Sequence, residues 1–123
     1  MLPRLMLCGL AGAALAAGAL SLLAGPGAGA EEPADAEQGH AVFTQWCAPC
    51  HGAGADKPGT IALAALYHGE KPALLEQRTD LSCDTVRHFV RTGVSVMPFF
   101  RKTEIGDRDL SALASYLSHG PCG

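Results

Sequence analysis

The sequence predicts an all-α fold, a small single helical domain, from two observations. Apolar residues recur at helical spacing in three segments, which cover residues 34–48, 82–93 and 107–118. No segment shows the alternation of a strand or the turn residues of a hairpin, and no internal repeat is present. A chain of 123 residues also has the length of one domain.

Residues 1–30 have the composition of a secretory signal peptide. Arg4 is their only charge, and a stretch dominated by Leu, Ala and Gly covers 5–24. An A-x-A pattern ending at Ala30 predicts cleavage there, export to the periplasm and a mature domain of residues 31–123. The alternative is a retained membrane anchor, because the stretch is long enough to span a bilayer. Its many Gly and Ala residues favour cleavage, after which no stable membrane span is expected.

The first predicted helix covers residues 34–48 and ends at Pro49. On this helix Gly39 and Phe43 lie four residues apart and share a face. Three glycines and a proline then predict a loop over 52–59. The first helix is therefore expected to lead directly into a loop.

The middle of the chain carries weaker signals. An apolar run over 61–67 predicts one or two helical turns. Residues 69–78 are expected to be irregular, with a short turn at Leu74-Leu75. Residues 94–103 are expected to be extended or a loop.

Two further helices have clear end signals. Ser82 is the N-cap candidate of the helix over 82–93, and Gly93 stops it. The last helix, over 107–118, is terminated by Gly120 and the proline that follows it. One apolar stripe runs along this last helix, formed by Leu110, Leu113, Ala114 and Leu117.

The charge balance excludes one class of partner. The formal net charge is −3, and removal of Arg4 with the leader makes the mature chain more acidic. Nucleic-acid-binding proteins carry clustered basic charge, so no nucleic acid is expected as a partner. A mature chain of this length builds only a small core, and chains of this size often need a further stabilising element. A large buried cofactor would supply one.

Cys47-Ala48-Pro49-Cys50-His51 is the C-x-x-C-H pattern by which haem is attached to a polypeptide. Two thiols separated by two residues can each add to one haem vinyl group from a single tight turn. The next residue, His51, can then give an imidazole nitrogen to the iron. The motif predicts one covalent haem c per chain, attached through Cys47 and Cys50, with His51 as an axial ligand.

Two other interpretations of the cysteines compete with haem attachment. A thioredoxin-like C-x-x-C would sit where a strand leads into a helix, whereas this motif follows a predicted helix. A zinc site would need four ligands, and the candidates to complete it, Cys83 and Cys122, are solitary. Both interpretations are weaker than haem attachment.

Met97 is the expected second axial ligand. It is the only methionine that remains after the leader is removed, and Pro98 stiffens the chain beside it. With both axial positions filled by protein, no open site remains for oxygen or substrate, and the thioether favours ferrous iron. Such a centre carries single electrons. The rival ligands are His40, His68, His88 and His119, each expected to be a surface or core histidine.

The sequence resembles the class I cytochrome c family over residues 35–118. The matching residues are Gly39 and Phe43, the C-x-x-C-H motif, Met97-Pro98 and the last helix at 113–117. The resemblance implies a fold in which the first and last helices cross at right angles, with Gly39 and Phe43 packing near Leu113 and Tyr116.

The same resemblance implies a proline carbonyl that accepts a hydrogen bond from the ligand histidine. Pro58 is the candidate, although residues 57–60 depart from the Gly-Pro-x-Leu pattern that is common in the family.

A narrower likeness concerns the segments 60–63, 72–81 and 97–105. They are similar to the cytochrome subunit of p-cresol methylhydroxylase-type flavocytochromes. The resemblance implies a flavoprotein dehydrogenase subunit as partner, which oxidises a 4-alkylphenol and passes electrons one at a time to the cytochrome. A downstream acceptor protein would take them on, and the chain itself would not be catalytic. The alternatives are a free periplasmic cytochrome serving a terminal oxidase or reductase, and a haem sensor or small peroxidase with an open axial site.

The residues after Met97 are candidates for docking such a partner. Phe99, Phe100, Arg101 and Lys102 combine aromatic and basic side chains of the kind that protein interfaces favour. The alternative is that both phenylalanine rings cover the haem.

Cys83 and Cys122 are candidates for a disulfide. An oxidising compartment favours pairing of two spare cysteines, and a loop of this length would stabilise the fold by roughly 3–4 kcal/mol. The alternative is two free thiols.

Overall fold

The structure is a computed structural model that describes residues 32–122. The predicted signal peptide and its cleavage site at Ala30 lie outside the described residues. All regular structure within 32–122 is helical, and the single pair of bridged residues, Val94 and Met97, forms no strand. This confirms the all-α prediction. The elements in chain order are α1 (Glu32–Val42), a π-helical segment (Phe43–Cys47), α2 (Ala48–His51), α3 (Pro58–Tyr67), a 3₁₀ turn (Leu75–Gln77), α4 (Cys83–Thr92) and α5 (Asp107–Ser118).

The first helix is longer than predicted, because Pro49 does not end it. The chain stays helical from α1 through the π-helical segment and α2 as far as His51. The Ala48 N–H donates to the Phe43 carbonyl, five residues back, which is the bond of a wider π turn. Pro49 then falls in the first turn of α2, where its missing N–H costs no hydrogen bond. The prediction that Pro49 is a helix end was therefore wrong.

α1 and α5 make the most extensive contact between helices in the described chain. Gly39 allows their close approach, because a Cβ at this position would lie only 2.3 Å from the Ala112 carbonyl oxygen. The Phe43 and Tyr116 rings lie 6.0 Å apart, and Phe43 shares a buried cluster with Leu113. The packing that the family resemblance implied for Gly39 and Phe43 is present.

α4 and α5 have almost the predicted bounds. The Ser82 side chain accepts a hydrogen bond from the Thr85 N–H at 3.1 Å, which is an N-cap contact. Gly93 follows α4 with φ of 67°, a conformation that favours glycine. Both end signals read from the sequence are thus confirmed.

The predicted loop covered residues 52–59, but α3 already begins at Pro58. Pro58 occupies the first turn of α3 rather than the end of a loop. Proline is favoured at this position because its fixed φ is already helical and its missing N–H would be unpaired there. The loop after α2 is correspondingly short, covering 52–57.

The buried core of the described chain comes from one part of the molecule. Its apolar members lie at the junction of α1 with the π-helical segment, on α4, on α5 and in the loop before α5. α3 contributes no buried residue. The core residues are Val42, Phe43, Val86, Val90, Ile105, Leu110, Ala112, Leu113, Ala114 and Leu117.

A disulfide joins Cys83, the first residue of α4, to Cys122 in the C-terminal tail. The Cα atoms of the two residues are 5.8 Å apart. The Ser118 hydroxyl lies 3.4 Å from the Cys83 sulfur, and the Cys122 N–H donates to the Ser115 side chain at 2.9 Å. The tail is therefore held against both α4 and α5.

Candidate functional site

The C-x-x-C-H motif lies at the end of the long first helix. Cys47 closes the π-helical segment and packs half-buried against the core, whereas Cys50 lies exposed on α2. Both cysteines carry free thiols. Because residues three apart on a helix are neighbours on its surface, the two thiols lie on the same side of the continuous helical stretch that ends at His51. His51, the last residue of α2, follows them directly.

The imidazole of His51 is packed against the start of α3. A Cβ at Gly59 would lie 2.7 Å from the His51 Cε1 atom and 2.8 Å from Nδ1. The Thr60 hydroxyl donates to the Gly52 carbonyl oxygen at 2.9 Å. These contacts bring α3 directly onto the histidine that the motif predicts as a ligand.

His51 Nδ1 is buried and has no hydrogen-bond partner among the described residues. The hydrogen bond to the Pro58 carbonyl, which the family resemblance implied, is therefore not formed. Pro58 is the first residue of α3, and the backbone of the next residue, Gly59, lies against the ring.

Burial also sets the protonation state of this histidine. It lowers the pKa of His51, because the charged imidazolium is poorly solvated there. The neutral imidazole is the form that binds metals. A neutral, half-buried imidazole beside two thiols fits covalent haem attachment with His51 as a ligand.

Cys47 does not have the properties of a redox-active thiol. Burial, and to a smaller extent the neighbouring Cys50, raises the pKa of the Cys47 thiol to about 12. Cysteines that exchange disulfides have lowered pKa values, because the thiolate is the nucleophile. The thioredoxin-like interpretation is therefore not favoured.

The pairing of the other two cysteines argues against the zinc interpretation. Cys83 and Cys122 are bonded to each other and cannot complete a site with Cys47 and Cys50. Nor do three His, Cys, Asp or Glu side chains gather as a metal site anywhere in residues 32–122.

α3 provides the apolar surface that a haem would need. Apart from Thr60 and Tyr67 its side chains are aliphatic or absent, yet Ile61 is 52% and Leu66 is 67% exposed. A helix that is apolar all round is normally buried. Leu66 also lies seven residues after Gly59, on the same face of α3. This face fits a large apolar cofactor held next to His51.

Met97 lies half-buried in a tight turn after α4. The Met97 N–H donates to the Val94 carbonyl at 2.9 Å, and the Val94 N–H donates to the Met97 carbonyl at 3.1 Å. A Cβ at Gly93 would lie 2.6 Å from the Met97 carbonyl oxygen. The backbone around Met97 is thus held by two hydrogen bonds and by the close approach of Gly93, while Met97 as axial ligand stays a prediction.

The four rival histidines all lie exposed. The His40 ring lies 5.4 Å from Tyr116, and the His88 ring lies 5.4 Å from Phe89. His68 and His119 end α3 and α5 in left-handed conformations. None of them has the half-buried position of Met97.

The structure separates the four candidate docking residues. Phe99 and Arg101 are exposed. Phe100 packs edge-on against Trp46, with ring centroids 5.9 Å apart, and contacts the core. Lys102 forms an ion pair with Asp107 at 2.7 Å. Only Phe99 and Arg101 therefore combine an exposed position with a side chain that is not engaged by these contacts.

Sequence reasoning missed a buried cation next to the end of α3. Arg78 is only 7% exposed, and its guanidinium donates to the Asp80 carboxylate and, at 2.7 Å, to the Tyr67 hydroxyl. It also lies over the Tyr67 ring, 4.8 Å from its centroid. This cluster ties the irregular segment after α3 to the end of that helix. An Arg two residues before an Asp in an expected loop gave no signal of burial.

An all-helical domain with C-x-x-C-H at the end of its first helix, and with that helix packed on the last one, defines a class I c-type cytochrome. Among protein families, residues 34–117 match cytochrome c oxidase, cbb3-type, subunit III. Because this match covers well over half of the chain, the protein belongs to that family of c-type cytochrome domains. Searches of curated proteins and of solved structures gave no significant match.

Membership of this family establishes the coarse function. The chain is a haem-based electron carrier with a haem c cofactor and electron-transfer partners. Cytochrome c domains of this kind are typically exported. Among residues 32–122, no helix has the length and apolar character needed to cross a membrane. The family match gives no support to the narrower likeness to flavocytochrome subunits.

Proposed function

We propose that this chain carries one electron at a time on a single covalent haem, ligated by His51 and Met97. The observation that carries the proposal is the arrangement around His51. Its neutral, half-buried imidazole follows two free thiols and lies against α3, a helix whose apolar side chains find no place in the protein core.

Each residue of the site has a distinct part in this function. Cys47 and Cys50 hold the cofactor covalently, so it stays bound in both oxidation states. When bound, the haem supplies an iron that takes up and releases one electron. Burial keeps His51 neutral and able to donate its lone pair. Leu66 and its neighbours on α3 would exclude water from the haem, and the Met97 thioether would be the second iron ligand and so keep small ligands out.

Substitution of Met97 tests the ligand set. Met97→Ala should keep the covalent haem but open the iron, so that the reduction potential falls and carbon monoxide binds rapidly to the reduced protein. The matched control is Val96→Ala, because Val96 is the preceding residue and is 95% exposed. An unchanged spectrum and potential in Met97→Ala would rule out Met97 as the ligand. Rapid carbon monoxide binding by the wild type would instead favour the sensor or peroxidase alternative.

The proposed electron donor is a flavoprotein dehydrogenase subunit that oxidises a 4-alkylphenol-type substrate. What supports it is the likeness of segments 60–63, 72–81 and 97–105 to the corresponding flavocytochrome subunit, together with the exposed Phe99 and Arg101. The alternative is a free cytochrome that serves a terminal oxidase or reductase.

Purification of the native protein separates these two partners. A complex with a flavin-containing chain, weakened by Phe99→Ser, would support the flavoprotein donor. A cytochrome that stays monomeric at all concentrations, with no flavin in any fraction, would contradict it and favour the free carrier.

Export with cleavage after Ala30 is part of the same proposal. It is supported by the single charge at Arg4 and by the A-x-A pattern. The intact mass of the periplasmic holoprotein should correspond to residues 31–123 plus one haem. A mass that includes residues 1–30 would show that the leader is kept as an anchor.

A further inference from the structure

The chain between α4 and α5 carries Met97 and is anchored at Phe100. The Phe100 N–H donates to the Val90 carbonyl oxygen at 2.8 Å, so the chain returns to α4 three residues after Met97. Val90 lies in the last turn of α4, where a carbonyl has no partner within the helix. This hydrogen bond therefore closes the segment from Val90 to Phe100 into a loop, which we call the Met97 loop.

Arg91 binds the other backbone group of Phe100. Its guanidinium donates to the Phe100 carbonyl oxygen at 3.1 Å and, through its second terminal nitrogen, to the Asp107 carboxylate at 3.0 Å. The donor is charged and the Arg91 side chain is only 24% exposed, so the bond to the carbonyl is stronger than one between neutral, exposed groups. Arg91 thus joins Phe100 to the first residue of α5.

Trp46 holds the side chain of Phe100. The two rings meet edge to face with their centroids 5.9 Å apart, and both pack against the core. Trp46 directly precedes Cys47, the first residue of the C-x-x-C-H motif. The contact therefore connects the Met97 loop with the helical stretch that ends at His51.

We infer that Arg91 and Trp46 are positioning residues, which keep the Met97 thioether on the iron by fixing Phe100. The inference rests on the proposed function, in which Met97 is the second axial ligand of a covalent haem. Residues around a metal ligand orient it and tune its bond to the metal. Neither Arg91 nor Trp46 belongs to the C-x-x-C-H motif or to the Met-Pro pair, and the family match assigns them no role.

The contacts of Phe100 stabilise the Met97 loop in its closed form only. When Met97 leaves the iron, the loop opens and water can solvate the Phe100 carbonyl and the Arg91 guanidinium. Loss of their hydrogen bond therefore raises the free energy of the closed form more than that of the open form. The open form becomes more populated, and a small ligand that competes with Met97 binds more tightly in the same proportion.

The test of Arg91 uses imidazole as the competing ligand of the oxidised, haem-containing protein. Imidazole binds the iron only after Met97 leaves, and the titration follows the loss of the sulfur-to-iron charge-transfer absorbance. Arg91→Leu should bind imidazole about tenfold more tightly than the wild type, because a hydrogen bond from a charged donor is lost. Arg108→Leu is the matched control, since Arg108 is exposed on α5 and the substitution removes the same charge. It should bind imidazole as the wild type does.

The test of Trp46 uses a pair of variants. Trp46→Ala should also raise the affinity for imidazole, whereas Trp46→Phe keeps a ring against Phe100 and should stay close to the wild type. Cys83→Ser with Cys122→Ser lowers the stability of the fold at the opposite end of α4. Its affinity for imidazole should not change, which separates positioning of Met97 from a general loss of stability.

Wild-type affinity for imidazole in Arg91→Leu would overturn the inference, and so would an equal rise in Arg108→Leu or in the disulfide variant. If Arg91→Leu does not incorporate haem, the Trp46 pair decides, because equal affinities in Trp46→Ala and Trp46→Phe would also overturn it. A wild-type protein without the sulfur-to-iron absorbance would instead contradict Met97 as a ligand, and so the proposed function itself. That result is recognised before any variant is titrated.

Discussion

The two halves of this molecule bury their apolar residues in different ways. One half, formed by α1, α4 and α5, packs its aliphatic and aromatic side chains against one another, and Leu113 is completely buried there. The other half, formed by α2 and α3, contains the most apolar helix, α3, but leaves Leu66 and Ile61 more than half exposed.

The difference shows which part of the chain folds on protein contacts and which part is built around a cofactor. Apolar burial contributes about 25 cal/mol per Å² of surface removed from water, and α3 gains little of it from the rest of the chain. A haem attached at the end of α2 would supply the missing surface. The comparison therefore assigns stability chiefly to the first half and supports the proposal that the haem is attached at the second.

The largest effect is expected from removing both attachment cysteines. Cys47→Ala with Cys50→Ala should eliminate covalent haem, because no thiol remains to bond the vinyl groups. The half formed by α2 and α3 should then lose order. The measurements are pigment retained by the protein after acid–acetone extraction, and helical circular dichroism. A product that stays coloured after extraction would contradict haem attachment at these residues.

The disulfide lies in the half formed by α1, α4 and α5, so its loss should leave the haem in place. Cys83→Ser with Cys122→Ser should lower the free energy of unfolding by about 4 kcal/mol, because the bond closes a loop of 39 residues. Denaturant unfolding of the haem-containing protein measures this cost. An unchanged midpoint would show that the two residues are free thiols in solution, and a lost pigment would show that the halves are not independent.

A pair of leucines sharpens the comparison further. Leu113→Ala should lower the free energy of unfolding by about 3 kcal/mol, because it leaves a cavity in the packed core, and should leave the haem spectrum unchanged. Leu66→Ala should instead admit water to the cofactor and lower its potential. Denaturant unfolding gives the free energy of unfolding of both variants, and a redox titration gives their reduction potentials. A changed potential in Leu113→Ala and an unchanged potential in Leu66→Ala would show that the haem does not lie next to α3.

The smallest effect concerns the Arg78 cluster at the end of α3 and its dependence on pH. Hydrogen bonds from Arg78, and next from Lys71, hold the pKa of Asp80 well below its usual range. A carboxyl with a lowered pKa stabilises the fold above its unfolded-state pKa of about 3.8, and this contribution is lost as the pH falls further.

Asp80→Asn should therefore reduce the acid sensitivity of the fold below about pH 4. The thermal midpoint near neutral pH should also fall, because buried Arg78 loses its carboxylate partner. Thermal unfolding between about pH 2 and 7 measures both effects. Asp84→Asn is the control, since the Asp84 side chain is 97% exposed. Equal profiles for the two variants would contradict a structural role for the Arg78 cluster.

The parts of the fold that sequence reasoning predicted correctly carry their own local signals. The N-cap at Ser82, the stop at Gly93 and the stripe that includes Leu113 each act within one or two helical turns. Pro49 and Pro58 were misjudged, because proline reads as a helix breaker unless the turn that contains it is known. A π turn before Pro49 and a helix start at Pro58 make both prolines compatible with helix.

The sequence by itself determined the chemistry of this protein, because C-x-x-C-H places two thiols and an imidazole within five consecutive residues. No distant contact is needed to bring these groups together. Only the tertiary structure decided how residues distant in the chain meet: Gly59 lies against His51, Arg78 is buried beside Tyr67, and Phe100 packs against the core while Phe99 is exposed. Such contacts depend on how separate helices approach each other, and that approach follows from close packing of the whole chain.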